Sequence, residues 1–355
     1  MAKQLGEFRY SKMTPKGWVA TDPMATTAEL TLLAAEKYGI TSRELPGTRI
    51  MELEYQGQKA YFQAQNPFAQ SCIALYATSN KTIEKNLLTE AGISVAKGFT
   101  INKTDSREYW REVFEAVPKP LVLKPTHGTQ GRQVYTSIEK YEDFEKAVED
   151  ILPSHPAMAA GVVVETMFQG EEYRVLVTRE KVIGITNRKP ANVVGDGTST
   201  IQQLIDIKNQ DPRRKNDPNN YLVTINVDKH VLSYLASQNL TLESVVEEGQ
   251  QIFLRKNSNI STGGDSIDVT DIAHPSVGEL SLRAIQAFPG LLIAGIDFMT
   301  TDITQPQTAD SYIIVEVNNS PGYSIHDLPY QGKNRHAADE YLKILFPTLE
   351  IKTDD

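Results

Sequence analysis

Segments rich in β-branched and apolar residues alternate with segments that carry helix signals along most of the chain. The strands predicted at Pro120–Pro125 and Gly161–Thr166 flank a helix predicted over Ser137–Leu152, with Ser137 as its N-cap. A further apolar strand is predicted near the C-terminus, at Tyr312–Asn318. Because strands and helices that alternate along a chain pack as layers, we predict an α/β fold.

The length of the chain predicts more than one compact unit. With 355 residues it can form two or three units around a large buried core. Changes in the pattern of strands and helices place approximate boundaries near residues 80 and 168. We therefore predict three lobes, comprising residues 1–80, 81–168 and 169–355.

Charge and hydropathy exclude several classes of protein. The 36 Lys and Arg residues against 45 Asp and Glu residues give a net charge of -9, which disfavours binding to nucleic acid or to an acidic membrane surface. No signal peptide is recognisable, and no segment approaches the ~20 apolar residues of a membrane-spanning helix. The single cysteine, Cys72, has apolar neighbours and is predicted to be buried. These features predict a cytoplasmic protein with no membrane partner.

The first candidate for chemistry is the segment 121–134 (LVLKPTHGTQGRQV). It places Lys124 at the end of an apolar strand, before a loop with His127, Gly128 and Gly131. A glycine-containing loop lets backbone N–H groups approach phosphate oxygens, and a nearby ammonium group adds positive charge. The pattern also fits a surface turn with a solvated lysine, and the chain has no GxxxxGK[ST] motif.

Two groups of side chains with oxygen acceptors follow. Glu165 and Glu172 flank a short linker and could accept hydrogen bonds from an adenine amino group and ribose hydroxyls, or could simply be solvated strand ends. Asp297, Glu316 and Asn318 interrupt apolar strands with hard oxygen ligands of the kind that Mg²⁺ requires. Because Glu316 and Asn318 are two residues apart on a strand, their side chains point to the same side. We favour a metal site here over two exposed strand ends.

Together and in this order, these elements resemble the ATP-grasp superfamily. The segments 188–214, 254–271 and 316–336 are similar to the ATP-grasp module of bifunctional glutathione synthetases and of cyanophycin synthetases. The similarity is strong over residues 78–346, whereas over residues 1–77 only the α/β pattern agrees. It implies an ATP-grasp fold of the α/β (α+β) class, with an N-terminal α/β lobe, a small ATP-binding lobe and a C-terminal lobe that holds the metal and substrate sites.

The resemblance also implies which residues bind ATP and its metal ion, Mg²⁺ or Mn²⁺. The string SNKTIEK at 79–85 matches a lysine-bearing helix of the family, although Asn80 stands where an aspartate is common. Residues 127–131 match a loop that closes on the triphosphate. Asp297, Glu316 and Asn318 match the metal ligands. The residues that match nucleotide contacts are Lys85, Lys124, His127, Gly128, Gly131, Glu165 and Glu172.

Catalytic and substrate-binding residues are implied in the same way. Arg174, Arg188 and Arg255 fall at positions that resemble phosphate or acyl-phosphate contacts. The segment 257–268 (NSNISTGGDSID) is a candidate lining of the acceptor-amine pocket, or an ordered loop without such a role. His326 is either a base or a structural histidine. The residues expected to contact substrate are Asn259, Ser261, Thr262, Gly263, Gly264 and Asp265.

These features predict an ATP-dependent ligase that joins a carboxylate to an amine through an acyl phosphate. Its substrates would be amino acids or short peptides, and a homodimer is the default assembly. Glutathione-synthetase chemistry, γ-glutamylcysteine plus glycine, is the nearest guess. The alternatives are a ligase similar to cyanophycin synthetase, acting on an aspartyl or dipeptide carboxylate, and a nucleotide-binding module without catalysis.

Overall fold

The computed structural model describes residues 25–128, 132–154, 161–217 and 220–351. The helices in these ranges are α1 (Ala25–Lys37), α2 (Cys72–Thr78), α3 (Lys81–Glu90), α4 (Arg107–Ala116), α5 (Tyr141–Ser154), α6 (Ile201–Asn209), α7 (Lys229–Ser237), α8 (Pro275–Gln286), α9 (Ser324–Asp327) and α10 (Ala337–Leu345). The strands are β1 (Thr41–Leu45), β2 (Ile50–Tyr55), β3 (Gln58–Gln63), β4 (Asn66–Pro67), β5 (Gly98–Asn102), β6 (Leu121–Pro125), β7 (Tyr135–Ile138), β8 (Gly161–Thr166), β9 (Glu171–Thr178), β10 (Val182–Lys189), β11 (Asn192–Val194), β12 (Gln251–Phe253), β13 (Asp265–Asp268), β14 (Ile293–Thr300) and β15 (Tyr312–Asn318).

The chain forms two compact units, each assembled from separate segments. The first unit takes its described residues from before residue 70, from Ile183–Asp271 and from Ser320 onwards. The second unit consists of Gln70–Val182 and Ile272–Asn319. The three lobes predicted from the sequence, 1–80, 81–168 and 169–355, remain a prediction.

In the second unit, an antiparallel sheet has the strand order β5-β8-β6-β7. Its core face packs against α4 and α5, and buries side chains such as Leu123, Val164 and Phe144. Side chains alternate across a strand, so the neighbours of these residues point the other way. Lys124 on β6 and Glu165 on β8 therefore lie on the face opposite the helices.

The second unit also contains three antiparallel strands in the order β9-β14-β15, with α8 packed against β9 and β14. The strands are largely buried and apolar, and include Val175, Ile296 and Ile314. A register shift follows Asp297 in the pairing of β14 with β15. Such a bulge re-aims nearby side chains relative to a regular ladder.

In the first unit, strands β1 to β4 form an antiparallel sheet in chain order. One face buries Leu53 and Phe62, and the Phe62 ring meets the Tyr341 ring of α10 edge to face. Strands β10 and β13 pair antiparallel, as do β11 and β12. Helices α6 and α7 bury their apolar faces in a separate core that includes Ile205 and Leu235.

Two sequence expectations are wrong. Ser137 is not a helix N-cap: it lies in β7 with a left-handed backbone (φ 61°), and α5 begins at Tyr141. Pairing of Ile138 with Leu121 of β6 holds these residues in a strand, and the first turn of α5 carries the acidic residues Glu142 and Asp143 instead. Cys72 is exposed, because it lies at the first position of α2 and the buried side of that helix is formed by Ala74, Ala77 and Thr78.

Within the described ranges, no helix has both the length and the apolar character needed to cross a lipid bilayer.

Candidate functional site

One acid and two lysines form a buried ion-pair cluster on the open face of the four-stranded sheet. Glu165 Oε1 lies 2.6 Å from Lys124 Nζ, and Glu165 Oε2 lies 2.8 Å from Lys85 Nζ. Burial alone would raise the pKa of Glu165, but the two lysines hold it below its ordinary value. One carboxylate facing two ammonium groups leaves one positive charge in excess. The cluster is therefore suited to an anionic ligand.

Lys85 shows that the cluster has unused binding capacity. Burial lowers the pKa of its ammonium group, and Glu165 opposes that shift. The Lys85 ammonium group has three N–H donors, and the Glu165 carboxylate, 2.8 Å away, can accept only some of them. Buried polar atoms in native proteins almost always have partners. A buried donor of this kind, next to excess positive charge, fits a phosphate group such as those of ATP.

Helix α3 adds two further charged residues that the sequence analysis did not select. Lys81 Nζ lies 3.5 Å from Glu316 Oε1 and donates a hydrogen bond to the Gly128 carbonyl oxygen at 3.3 Å. Glu84 is only 1% exposed, and its Oε1 accepts a hydrogen bond from the Val317 amide at 2.6 Å. Burial and the nearby Glu316 raise the pKa of Glu84 to about 8.

A sequence signal for these residues does exist. Lys81, Glu84 and Lys85 are spaced i, i+3 and i+4 and therefore share one face of α3. The helix begins after Asn80, whose side chain accepts hydrogen bonds from the Thr82 and Ile83 amides. Asparagine at the position where the family commonly has aspartate thus still caps the helix. A charged stripe on a short helix is usually solvated, so the spacing alone does not reveal its burial.

The candidate metal ligands lie on neighbouring strands. Asp297 of β14 is directly opposite Glu316 of β15, and Asn318 is opposite Gly295, which has no side chain. Like charges directly opposite each other destabilise a sheet unless a cation lies nearby. Two carboxylates and an amide are hard oxygen donors that suit Mg²⁺. The residues therefore fit a divalent cation.

The described residues contain no group of three or more His, Cys, Asp or Glu side chains arranged for a metal ion. Asp297 and Glu316 would therefore need Asn318, ligand oxygens or water to complete a coordination shell. Mg²⁺ commonly takes one or two carboxylates together with substrate phosphates. The assignment of Asp297, Glu316 and Asn318 as metal ligands remains a prediction that this geometry supports.

Arg174 lies beside this pair of acids. It is opposite Asp297 in the pairing of β9 with β14, and its Nε donates a hydrogen bond to Asp297 Oδ1 at 2.6 Å. Glu172, two residues earlier on β9, is half-buried and opposite Met299. Alternation along β9 places Glu172 and Arg174 on the same side of the strand. Arg174 and Glu172 therefore lie on β9, the strand that pairs with β14 and its candidate metal ligand Asp297.

The glycine loop is only partly described. His127 Nδ1 lies 3.1 Å from Thr126 Oγ1, and His127 Nε2 lies 3.4 Å from Asn80 Nδ2. Gly128 accepts the hydrogen bond from Lys81. Gly131 lies outside the described residues. The predicted contacts of His127, Gly128 and Gly131 with phosphate remain predictions.

The other two candidate arginines lie in the first unit. Arg188 is on β10, opposite Ser266 of β13. Arg255 donates from Nη2 to Asp228 Oδ2 at 2.8 Å, while its buried Nε has no hydrogen-bond partner among the described residues. The other oxygen of Asp228, Oδ1, caps α7 by accepting from its first backbone amides. The Arg255 side chain is therefore held by the N-terminus of α7.

The predicted substrate segment is an ordered turn in the first unit. Thr262 Oγ1 donates to the Asn259 carbonyl oxygen at 2.9 Å, and Ser261 between them is exposed. Gly263 has a left-handed backbone (φ 95°), which favours glycine. A Cβ at Gly264 would lie 2.6 Å from the Lys189 carbonyl oxygen, so a side chain there would force the backbone apart.

Asp265 holds the end of this turn. Its Oδ2 accepts from Lys208 Nζ at 2.6 Å and from Asn192 Nδ2 at 2.9 Å, and its Oδ1 is paired with Arg214. All these partners come from other segments of the first unit. The carboxylate is therefore engaged in fixing the loop, and any contact of Asp265 with a substrate remains a prediction. His326 is likewise buried, with its Nδ1 3.0 Å from Thr186 Oγ1, which favours a structural role.

Two kinds of known protein are similar to this chain over most of its length. No protein-family model matches it. It is 34% identical over 332 residues to cyanophycin synthetase of Crocosphaera subtropica, covering 92% of this chain and 37% of that protein. It is 33% identical over 332 residues to the glutathione biosynthesis bifunctional protein GshAB of Clostridium perfringens, covering 92% of this chain and 42% of that protein.

A solved structure agrees with these relatives. The crystal structure of a bifunctional glutathione synthetase from Pasteurella multocida superposes with a TM-score of 0.71 and 29% sequence identity, covering 91% of this chain and 44% of that one. The chain spans about two fifths of the length of the curated relatives it matches. The mixed α/β architecture predicted from the sequence is confirmed.

Proposed function

Because the chain has the ATP-grasp fold, we propose that it is an ATP-dependent carboxylate–amine ligase. It would activate a carboxylate as an acyl phosphate, form an amide bond with an amine, and release ADP and phosphate. The observation that carries this proposal is the second unit's grouping of a positively charged lysine cluster, centred on Glu165, with the acidic pair Asp297 and Glu316. Phosphoryl transfer depends mainly on such positioned charges.

Each group of residues would have a separate task. Lys85 and Lys124 would hold phosphate oxygens, while Asp297, Glu316 and Asn318 would hold Mg²⁺ or Mn²⁺. The metal ion, when bound, would neutralise phosphate charge. Arg174 would position the Asp297 carboxylate, to which it donates a hydrogen bond.

The substrates are proposed from the relatives. Glutathione-synthetase chemistry, with γ-glutamylcysteine as carboxylate and glycine as amine, is supported by the similarity of segment 257–268 and by the bifunctional relatives. A reaction similar to that of cyanophycin synthetase, on an aspartyl or dipeptide carboxylate, is supported equally well by overall identity. A module that binds ATP without catalysis is disfavoured, because a module that no longer transfers phosphate would tolerate loss of the opposed acids Asp297 and Glu316, and the chain retains both.

A phosphate-release assay tests this proposal. Purified protein would be incubated with ATP, MgCl₂ and a matrix of amino acids and dipeptides, and the products of positive wells identified by mass. We expect ADP and phosphate in amounts equal to the amide product, and roughly 100-fold less product from a Glu316→Gln control. Formation of AMP in step with product would contradict the acyl-phosphate route. ATP binding without phosphate release in any well would favour the non-catalytic module.

A further inference from the structure

Each acid of the candidate metal pair is already engaged by a cationic side chain from a neighbouring element. Asp297 accepts a hydrogen bond from Arg174 of β9. Glu316 lies 3.5 Å from the Lys81 ammonium group of α3. The two carboxylates would otherwise repel each other across β14 and β15. Internal cations therefore offset the repulsion between these two acids.

Lys81 is held in this position by more than its ion pair. Its backbone amide donates to the Thr126 carbonyl oxygen at 3.0 Å, and its Nζ donates to the Gly128 carbonyl oxygen at 3.3 Å. The residue is only 8% exposed, whereas a third of the Glu316 side chain, 33%, is accessible. The ammonium group thus approaches Glu316 from the buried side, and a ligand from solvent would approach from the open side.

We propose that Lys81 competes with the divalent metal ion for Glu316. This inference rests on the metal site of the proposed function. An ammonium group and a divalent cation at the same carboxylate repel each other at short range. Metal binding to the nucleotide-free protein is therefore weak. Phosphate groups that arrive with the metal ion give Lys81 a second anionic partner, so nucleotide and metal bind better together than the metal does alone.

The test measures metal binding without nucleotide and without turnover. Mn²⁺ is titrated into the nucleotide-free protein, and the free ion is followed by its EPR signal. Four proteins are compared with the wild type: Lys81→Met, which keeps the length of the side chain without its charge, Lys81→Arg, which keeps the charge, Lys146→Gln and Glu316→Gln. Lys146 is an exposed lysine of α5 and controls for the loss of one surface charge. Thermal unfolding confirms that each variant is folded.

We expect Lys81→Met to bind Mn²⁺ roughly tenfold more tightly than the wild type, the scale of one short-range charge repulsion at a partly exposed site. The Mn²⁺ affinities of Lys81→Arg and Lys146→Gln should stay within about twofold of the wild-type affinity. The first variant keeps the charge beside Glu316, and the second removes only an exposed charge of α5. An unchanged or weaker affinity in Lys81→Met would overturn the inference, as would failure of both wild type and Lys81→Met to bind. Binding that survives in Glu316→Gln would instead show that the proposed metal ligands are wrong.

Discussion

Arg174 and Asp297 are opposite each other on the antiparallel strands β9 and β14, with Arg174 Nε 2.6 Å from Asp297 Oδ1. On its other side, Asp297 is opposite Glu316 of β15. A cation and two acids therefore occupy consecutive positions across three strands. The predicted metal ion would bind at the two acids of this row, next to the Arg174 guanidinium group.

Glu316→Gln should leave the protein folded but nearly inactive. The substitution removes one negative ligand charge, so the Mg²⁺ requirement should move to higher concentration and turnover should fall by roughly 100-fold or more. Its effect on unfolding should be small, because the lost ion pair with Lys81 is offset by relief of repulsion with Asp297. Turnover against MgCl₂ concentration measures this. Glu112→Gln, at an exposed acid of α4, is the matched control, and normal turnover of Glu316→Gln at low Mg²⁺ would contradict the ligand assignment.

Glu165→Gln should destabilise the protein strongly. The substitution leaves Lys85 and Lys124 buried together without their carboxylate, a change that typically costs about 3–5 kcal/mol. Urea unfolding monitored by circular dichroism gives the free energy of unfolding, again with Glu112→Gln as control. A decrease in the free energy of unfolding of less than about 1 kcal/mol, the scale of exposed ion pairs, would show that water reaches the cluster in solution.

Lys85→Met should separate ligand binding from folding. The side chain keeps its length and apolar stem, and Lys124 still neutralises Glu165, so the fold should persist. ATP affinity should fall by at least about tenfold, since charge-assisted hydrogen bonds to phosphate are lost. Calorimetric titration with a non-hydrolysable ATP analogue measures the affinity. Unaltered affinity in a folded Lys85→Met protein would remove this lysine from the phosphate contacts.

Asp228→Asn should impair catalysis without unfolding α7. Asparagine is as good an N-cap as aspartate, but it lacks the negative charge that forms the ion pair with Arg255. If Arg255 contacts the reacting groups, turnover should fall by roughly 10- to 100-fold through misplacement of its guanidinium group. Asp228→Ala, which loses the cap as well, should also lower the melting temperature. Steady-state kinetics and thermal unfolding of both variants provide the test. Full activity of Asp228→Asn would show that Arg255 does not need its ion pair with Asp228 for catalysis.

Asp327 should make stability depend on pH between about 4 and 6. Burial raises the pKa of this carboxyl to about 6 from its ordinary value of 3.8, although the Ala337 and Ala338 amides oppose the shift. The folded protein therefore holds a proton that the unfolded chain has released, and this contribution to stability is lost as pH rises through that window.

Asp327→Asn removes the titrating group and should not show this loss. The melting temperature of the wild type minus that of the variant should therefore decrease as pH rises from 4 to 6.5. The substitution also removes the acceptor for one backbone amide. This loss changes the difference in melting temperature by the same amount at every pH, so it does not affect the dependence of that difference on pH. A difference that stays constant over this range would show that Asp327 is ionised throughout.

Local patterns in the sequence predicted most of the secondary structure. Strands Gly161–Thr166 and Tyr312–Asn318 occur as predicted, because a short run of β-branched and apolar residues is a strand signal that can be recognised within a local window of sequence. The helix predicted to start after Ser137 begins later, at Tyr141. There, pairing with β6 overrides a plausible capping signal, and such pairing depends on residues that are distant in sequence.

The sequence by itself determined the layered α/β fold and the presence of charged residues within apolar strands, because periodicity and residue type are local properties. Only the tertiary structure decided which charges meet. Strand register places Asp297 beside both Arg174 and Glu316, and the packing of α3 buries Lys81 against Glu316. These pairs join segments that are far apart in the sequence, so no window of the sequence contains that information.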